Sequence, residues 1–223
     1  MPDSLTDQID AILPQTQCRR CGFDACLPYA QAIADGSAPI NRCPPGGQRG
    51  IDRLALLTGL AAVALDPECG SEGPHRKAIV IEQHCIGCTK CIVACPLDAI
   101  IGAPKRMHTV IASLCSGCEL CVPACPVDCI RMIEDPAHPV WGDDDMGKAR
   151  DRHRRRALRL ERERLLEQRR LERKAVSKLA SLEREPTDDS TQRKKAVIEA
   201  AIRKARERLA ASAASNGSGA KRT

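Results

Sequence analysis

Aromatic residues are almost absent: Phe23, Tyr29 and Trp141 are the only three in 223 residues. A small core without these bulky fillers is hard to close unless a disulfide or a metal staples it. Long apolar runs are missing as well. The longest, Leu54–Leu65, has 12 residues and contains Thr58 and Gly59, which is too short for a bilayer and predicts a buried helix. The N-terminus, MPDSLTDQID, has neither the positive charge nor the apolar stretch of a secretory signal. No phosphate loop, dinucleotide fingerprint or nucleophile–base pair is present, so no residue is assigned a catalytic role. The histidines, His75, His84, His108, His138 and His153, are scattered rather than grouped as ligands. His84 directly precedes Cys85 and is expected in a surface turn.

Charge is not uniform. The net value of +6 conceals an acidic body, with 11 Lys+Arg against 18 Asp+Glu over residues 1–147. The remainder, 148–223, is strongly basic, with 24 against 11. A chain of this length suggests one or two small domains.

What is abundant is cysteine, with 14 residues. In a chain without a secretory signal thiols stay reduced, so they are expected to bind metal rather than form disulfides. A shift of 30 residues lays CIGCTKCIVACPLDAI (Cys85–Ile100) on CSGCELCVPACPVDCI (Cys115–Ile130), with nine of 16 positions identical. Each unit follows a β-type run, Ala78–Ile81 and Thr109–Ile111, so the pair predicts short strands packed on two short helices. The spacing C-x2-C-x2-C-x3-C-P brings three thiolates around one iron–sulfur cubane, and the fourth reaches the other cluster. This assigns cluster A to Cys85, Cys88, Cys91 and Cys125, and cluster B to Cys115, Cys118, Cys121 and Cys95. Gly87 and Gly117 allow close approach of the loop. Zinc ribbons pair C-x2-C motifs over longer gaps, and a zinc-stapled interaction protein is the remote alternative.

The N-terminal group, Cys18, Cys21, Cys26 and Cys43, has the less general spacing C-x2-C-x4-C-x16-C. From spacing alone it stays open between a third [4Fe–4S] cluster, zinc and free thiols. Cys129 aligns with Ala99 and is expected to be a small buried residue. Cys69 has no partner at ligand spacing and is taken as incidental.

The segments IDAILPQTQC (Ile9–Cys18), INRCPPGG (Ile40–Gly47), HCIGCTKCIVACPLDAI and MHTVIASLCSGCELCVPACP resemble the B component of the Rnf/Rsx-type ion-translocating electron transport complex. The resemblance covers about residues 9–133. It implies a [4Fe–4S] cluster on Cys18, Cys21, Cys26 and Cys43, and a carrier that passes electrons between low-potential donors and flavin-bearing membrane subunits. Two departures stand out. That family usually opens with a transmembrane helix, whereas the 17 residues before Cys18 are not apolar enough to form one. The family also commonly has Gly after its first cysteine, where Arg19-Arg20 stands here; two positive charges are expected to raise the potential of that cluster and alter partner docking.

The predicted architecture is α+β in three parts. Residues 1–73 form a small N-terminal iron–sulfur domain with an apolar helix at 51–65 and a turn-rich linker at Asp66–Pro74. Residues 74–140 form a bacterial-type two-[4Fe–4S] ferredoxin module. Residues 141–223 form a long basic helical extension that breaks at Pro186–Thr191, carries a thin stripe of Ile198, Ala201, Ile202, Ala205 and Leu209, and fades into disorder at SNGSGAKRT. The tail would stay solvated or dock on the acidic body, an acidic partner or an anionic membrane surface; nucleic acid is disfavoured because no aromatics are interleaved. The expected function is a one-electron relay in the cytoplasm, or peripheral on the inner face of the cell membrane. The alternative is the electron-feeding subunit of another oxidoreductase holoenzyme.

Overall fold

The two repeat units are tied by strands that cross between them. In the computed structural model, which describes residues 4–184 and 188–217, β1 (Arg76–Val80) precedes the first cysteine motif and pairs antiparallel with β4 (Ile130–Glu134), which follows the second. Likewise β2 (Ile100–Ile101), after the first motif, pairs with β3 (Thr109–Val110), before the second. Backbone angles repeat with the sequence: φ is +67° and +69° at Gly87 and Gly117, +65° and +64° at Thr89 and Glu119, and +52° and +49° at Asp98 and Asp128. Left-handed conformations are uncommon outside glycine. Their recurrence at matched positions shows that both loops fold alike, but only one of the two expected short helices forms: residues 120–124 of the second unit are turns. Leu97, Ala99, Ile100 and Ile130 form the module's core together with its cysteines.

Residues N-terminal to the module build a second core from three helices. α1 (Leu5–Ile12) starts at a reciprocal cap, in which Asp7 N–H donates to Ser4 Oγ and Ser4 N–H donates to the Asp7 carboxylate. α2 (Cys26–Ala34) and α3 (Gly47–Thr58) pack against it through Ile9, Leu13, Ile33, Ile51 and Leu54. Burying each such side chain is worth about 1.5–3 kcal/mol. Tyr29 is fully buried beneath Phe23, donates to the Pro39 carbonyl at 2.8 Å and accepts the Arg42 N–H at 3.0 Å.

Two expectations need correction here. The apolar helix begins at Gly47 and ends at Thr58 rather than running to residue 65. Gly59 adopts φ +74° and its N–H donates to the Ala55 carbonyl, which terminates the helix. Residues 60–64 beyond it are exposed. The turn-rich segment after them is not a free linker. Asp66 N–H donates to the Asn41 carbonyl at 2.9 Å, Asn41 Nδ2 to the Ala64 carbonyl at 2.8 Å, and Gln48 N–H to Glu72 at 3.1 Å.

The chain forms two compact units, one through Arg156 and one from Ala157. α4 (Lys90–Ala94) contains the third cysteine of the first motif, Cys91, and ends just before the fourth, Cys95. α5 (Asp143–Glu183) begins in the first unit, and α6 (Asp189–Gly217) follows in the second. In the second unit Arg206 pairs with Glu172 at 2.6 Å, and Leu182, Thr191 and Ile202 are buried. The start of α6 is capped by Asp188, which accepts the Thr191 N–H at 2.6 Å. Pro186 and Thr187 of the expected break, the Leu209 side chain and the end of SNGSGAKRT lie outside the described residues. Among the described residues no helix is long and apolar enough to cross a membrane.

The first turns of α5 dock on the acidic body through arginines as well as through the buried Met146 and Ala149. Arg150 Nε meets the buried Asp10 carboxylate at 2.9 Å, and its terminal nitrogen meets the Asp10 carbonyl at 2.6 Å. Removing one partner of a buried ion pair strands the other charge, typically at about 3–5 kcal/mol. Because Gln15 also donates to Asp10, Arg150→Ala is expected to cost about 3 kcal/mol. Urea unfolding of the anaerobically prepared protein would measure it; a loss below the scatter of exposed-site controls would refute the buried pairing.

Candidate iron–sulfur sites

Cys95 is displaced from its own motif. It lines one apolar cavity with Cys115, Cys118 and Cys121, among Ala78, Leu97 and Ala99. Cys121 in turn feels the charges of Cys118, Cys115 and Cys95. The second grouping places Cys85 and Cys88 beside Cys91. Cys125 lies on the same side: Cys129 Sγ is 3.4 Å from Cys125 Sγ and within hydrogen-bonding reach of Cys85. The third grouping brings Cys18, Cys21, Cys26 and Cys43 around a separate cavity beside Leu13 and Tyr29.

Burial raises several of these thiols. It pushes Cys26, Cys118 and Cys121 up to about 12, and Cys43 well above the usual thiol range. Cys125 departs from this pattern: burial raises it, but N–H donors from Val127 and Cys129 outweigh burial and hold it low. Four thiols ringing an apolar wall can ionise together only if a cation is placed among them, and a coordinated metal deprotonates a thiol outright. Soft sulfur donors with no competing oxygen suit an iron–sulfur core. Among the described residues no three His, Cys, Asp or Glu side chains converge on one point as ligands of a single ion. A cubane makes no such demand, because its thiolates bind different irons. The donor set and the cavities therefore fit [4Fe–4S] clusters.

Close approach is built into both loops. A Cβ at Gly87 would lie 2.6 Å from the backbone N and O of Arg106, and one at Gly117 would run into the Arg76 carbonyl oxygen. Ala99 N–H donates to Cys95 Sγ at 3.2 Å, and Cys129 N–H to Cys125 Sγ at 3.3 Å. Ala78 N–H donates to Cys115 Sγ at 3.4 Å.

The N-terminal loop depends on residues that cysteine spacing does not reveal. Gln15, Gln17 and Arg19 all have positive φ, at +57°, +57° and +65°, a strain of order 1–3 kcal/mol each. A buried amide relay holds the two glutamines, and Arg19 Nε donates to the Asp24 carbonyl at 3.1 Å. Gln15 Nε2 donates to Asp10 Oδ1 at 2.9 Å, Gln17 Nε2 donates to Gln15 Oε1 at 2.9 Å, and Gln17 Oε1 accepts the Cys26 N–H at 2.8 Å. The only trace in the sequence is a pair of glutamines two residues apart just ahead of Cys18.

The leftover residues are also placed. Cys129 is buried, as its alignment with Ala99 implies. Cys69 is buried, and its thiol donates to the Asp66 carboxylate at 3.7 Å beside the Arg42 guanidinium. His84 is exposed in a turn. Arg20 is engaged within the chain by Glu119 at 2.9 Å. Ser116 Oγ donates to the Thr16 carbonyl at 3.0 Å, so the N-terminal loop adjoins the second motif.

These features define a protein that carries iron–sulfur clusters, and comparison with known proteins agrees. Residues 78–132 match the family described as "4Fe-4S dicluster domain", and residues 13–45 match "Putative Fe-S cluster". The chain is similar to proteins named as the B component of the ion-translocating oxidoreductase complex. It is 61% identical to that of Tolumonas auensis over 137 residues, covering 61% of this chain and 74% of the relative. It is 60% identical to that of an Azoarcus species over 104 residues (47% and 57%) and 57% identical to that of Thiobacillus denitrificans over 102 residues (46% and 54%). The chain thus spans little more than half the length of the last two. No solved structure matches it significantly. The chain belongs to the family of B components of the ion-translocating oxidoreductase complex.

Gly117→Ala should destabilise the module, since the left-handed backbone alone costs about 1–2 kcal/mol for a non-glycine residue and the new methyl meets the Arg76 carbonyl. Gly50→Ala, inside α3 with nothing within 4 Å, should instead stabilise by about 0.5–1 kcal/mol. Thermal midpoints of the two variants compared with the parent protein decide the matter; equal shifts would contradict the packing of Gly117.

Proposed function

We propose that this chain is a one-electron relay with three [4Fe–4S] clusters, serving a membrane-associated oxidoreductase complex of the kind its relatives are named for. Cys18, Cys21, Cys26 and Cys43 would hold the N-terminal cluster. Cluster A would take Cys85, Cys88, Cys91 and Cys125, and cluster B would take Cys115, Cys118, Cys121 and Cys95. The observation that carries this reading is the grouping of Cys95 with the cysteines of the other motif. Such crossing is what a two-cluster ferredoxin needs and what two independent zinc sites do not.

Bound at these sites, a cubane supplies reversible storage of one electron. The chain's own residues exclude water, fix the sulfur positions and donate N–H groups to them. The division into an N-terminal domain to residue 73, a module over 74–140 and a tail from 141 belongs to the same proposal. Site B is the central member of the series, because Ser116 and Glu119 of its loop contact Thr16 and Arg20 of the N-terminal loop. A low-potential donor and a flavin-bearing acceptor at opposite ends of the series would complete the path, with the chain peripheral to the inner face of the cell membrane.

Anaerobic purification should yield a brown protein with about 12 iron atoms per chain, since three cubanes hold four each. About eight would withdraw the N-terminal cluster alone. A colourless, zinc-loaded product would overturn the proposal. Cys95→Ser should alter the spectrum of the same cluster as Cys118→Ser, not that of Cys88→Ser, and the reverse pattern would remove the crossed assignment.

A further inference from the structure

Two alanines of the first repeat unit are replaced by polar residues in the second. The 30-residue shift aligns Ala78 with His108 and Ala99 with Cys129, and all four are buried. The alanines line the cavity of site B. Their counterparts face site A, with His108 Nδ1 3.3 Å from Cys91 Sγ and Cys129 Sγ 3.4 Å from Cys125 Sγ.

Packing does not explain His108. Its Nε2 is buried and has no hydrogen-bond partner among the described residues, and leaving such a group unpaired costs about 1–3 kcal/mol. An apolar ring would avoid that cost. The chain also makes room for the imidazole, since a Cβ on Gly102 would collide with it. A metal-bound cysteine sulfur only accepts, so Nδ1 carries the proton toward Cys91, and the thiol proton of Cys129 points toward Cys125. Backbone donors do not supply the same contrast: Ala99 and Cys129 contribute matched N–H bonds, Val127 adds one at site A and Ala78 adds one at site B. The Ser116 hydroxyl near Cys118 is committed to the Thr16 carbonyl.

We propose that His108 and Cys129 are positioning residues that donate side-chain hydrogen bonds to the ligands of site A and so raise its reduction potential above that of site B. The inference rests on the cluster assignment proposed above. Each donor draws charge from a ligand sulfur and favours the form with one more electron. Solvent works in the same sense, because Cys85 and Cys88 of site A are half-buried whereas only Cys118 of site B is. Transfer of one electron from site B to site A oxidises the first and reduces the second, and both donor protons stay where they are. The module thus contains a downhill step directed from B to A.

The test is a redox titration of the full, anaerobically purified chain, followed by electron paramagnetic resonance. His108→Phe keeps a ring without the donor, Cys129→Ala installs the residue found at position 99, and His108→Asn restores an N–H near Nδ1. His108→Phe and Cys129→Ala should lower the same single wave. The Phe variant should change that reduction equilibrium about tenfold, which is about 59 mV for one electron. His108→Asn should recover most of the shift. Unmoved waves, or an Asn shift as large as the Phe shift, would overturn the proposal. If His108→Phe fails to retain its clusters, pulsed resonance on the parent protein labelled with 15N-histidine replaces it. A nitrogen coupling to one reduced cluster is then expected, and its absence overturns the proposal. Iron well below eight atoms per chain would sink the cluster assignment and this inference together. Full iron content with unmoved waves sinks only the latter.

Discussion

Cys95 crosses from the motif that carries it into the cavity of the other, and the rest of the module follows from that crossing. Neither repeat unit can complete a four-thiol site alone, so the two must fold as one body. The strands obey the same rule, since β1 pairs with β4 and β2 with β3. These pairings are short, two and five residues long, and their apolar core is small. A sheet of two strands is marginal by itself in water. Sulfur ligation across the repeat, as proposed above, would be the staple that a chain with three aromatic rings requires.

The arginines that follow the acidic first turn of α5 support that crossing directly. α4 spans only Lys90–Ala94, and the carbonyls at its C-terminal end have no helical partners. Arg156 donates to the Val93 carbonyl at 2.6 Å, and Arg152 donates to the carbonyls of Leu97 and Asp98 at 2.9 and 3.1 Å. These three carbonyls flank Cys95 on both sides. Cations suit a helix C-terminus, so the arginines here brace the loop that carries Cys95. Farther along, Arg159–Glu163, Glu161–Arg164 and Glu167–Arg170 are exposed pairs on one helix surface, each worth a few tenths of a kcal/mol.

The sequence made the periodic features legible, because a cubane imposes fixed gaps and a 30-residue shift exposes them. The eight cysteines of the two motifs, Gly87 and Gly117, and the strands before each motif were readable this way, whereas the N-terminal four cysteines rested on the family resemblance and the tail helices on composition. Features that depend on contacts distant in sequence were not. Asp10 and Arg150 lie 140 residues apart, and nothing local marks either as half of a buried pair. Gln15 and Gln17 act through side-chain amides and strained φ angles that no propensity reveals. The apolar run to Leu65 misled because hydropathy does not register the left-handed stop at Gly59. Cys69 lacked a ligand spacing, yet the turn at 66–70 buries it and directs its thiol to Asp66.

The joint between the N-terminal loop and site B shows which of these forces governs the relay. Arg20 and Glu119 form its visible ion pair, but both side chains are 35% exposed, and pairs of that kind contribute about 0–1 kcal/mol. Trp141 Nε1 donates to the Pro14 carbonyl at 2.8 Å, and Ser116 Oγ donates to the Thr16 carbonyl. Each neutral bond is worth about 1 kcal/mol net, yet each would leave a buried or half-buried group unpaired if broken. Both carbonyls border Gln15, the first of the three left-handed residues. The strained segment that shapes the N-terminal thiol cavity is thus the same segment that site B grips. Formation of the N-terminal loop and its registration on the module are accordingly one event, and the ion pair above them adds little to either.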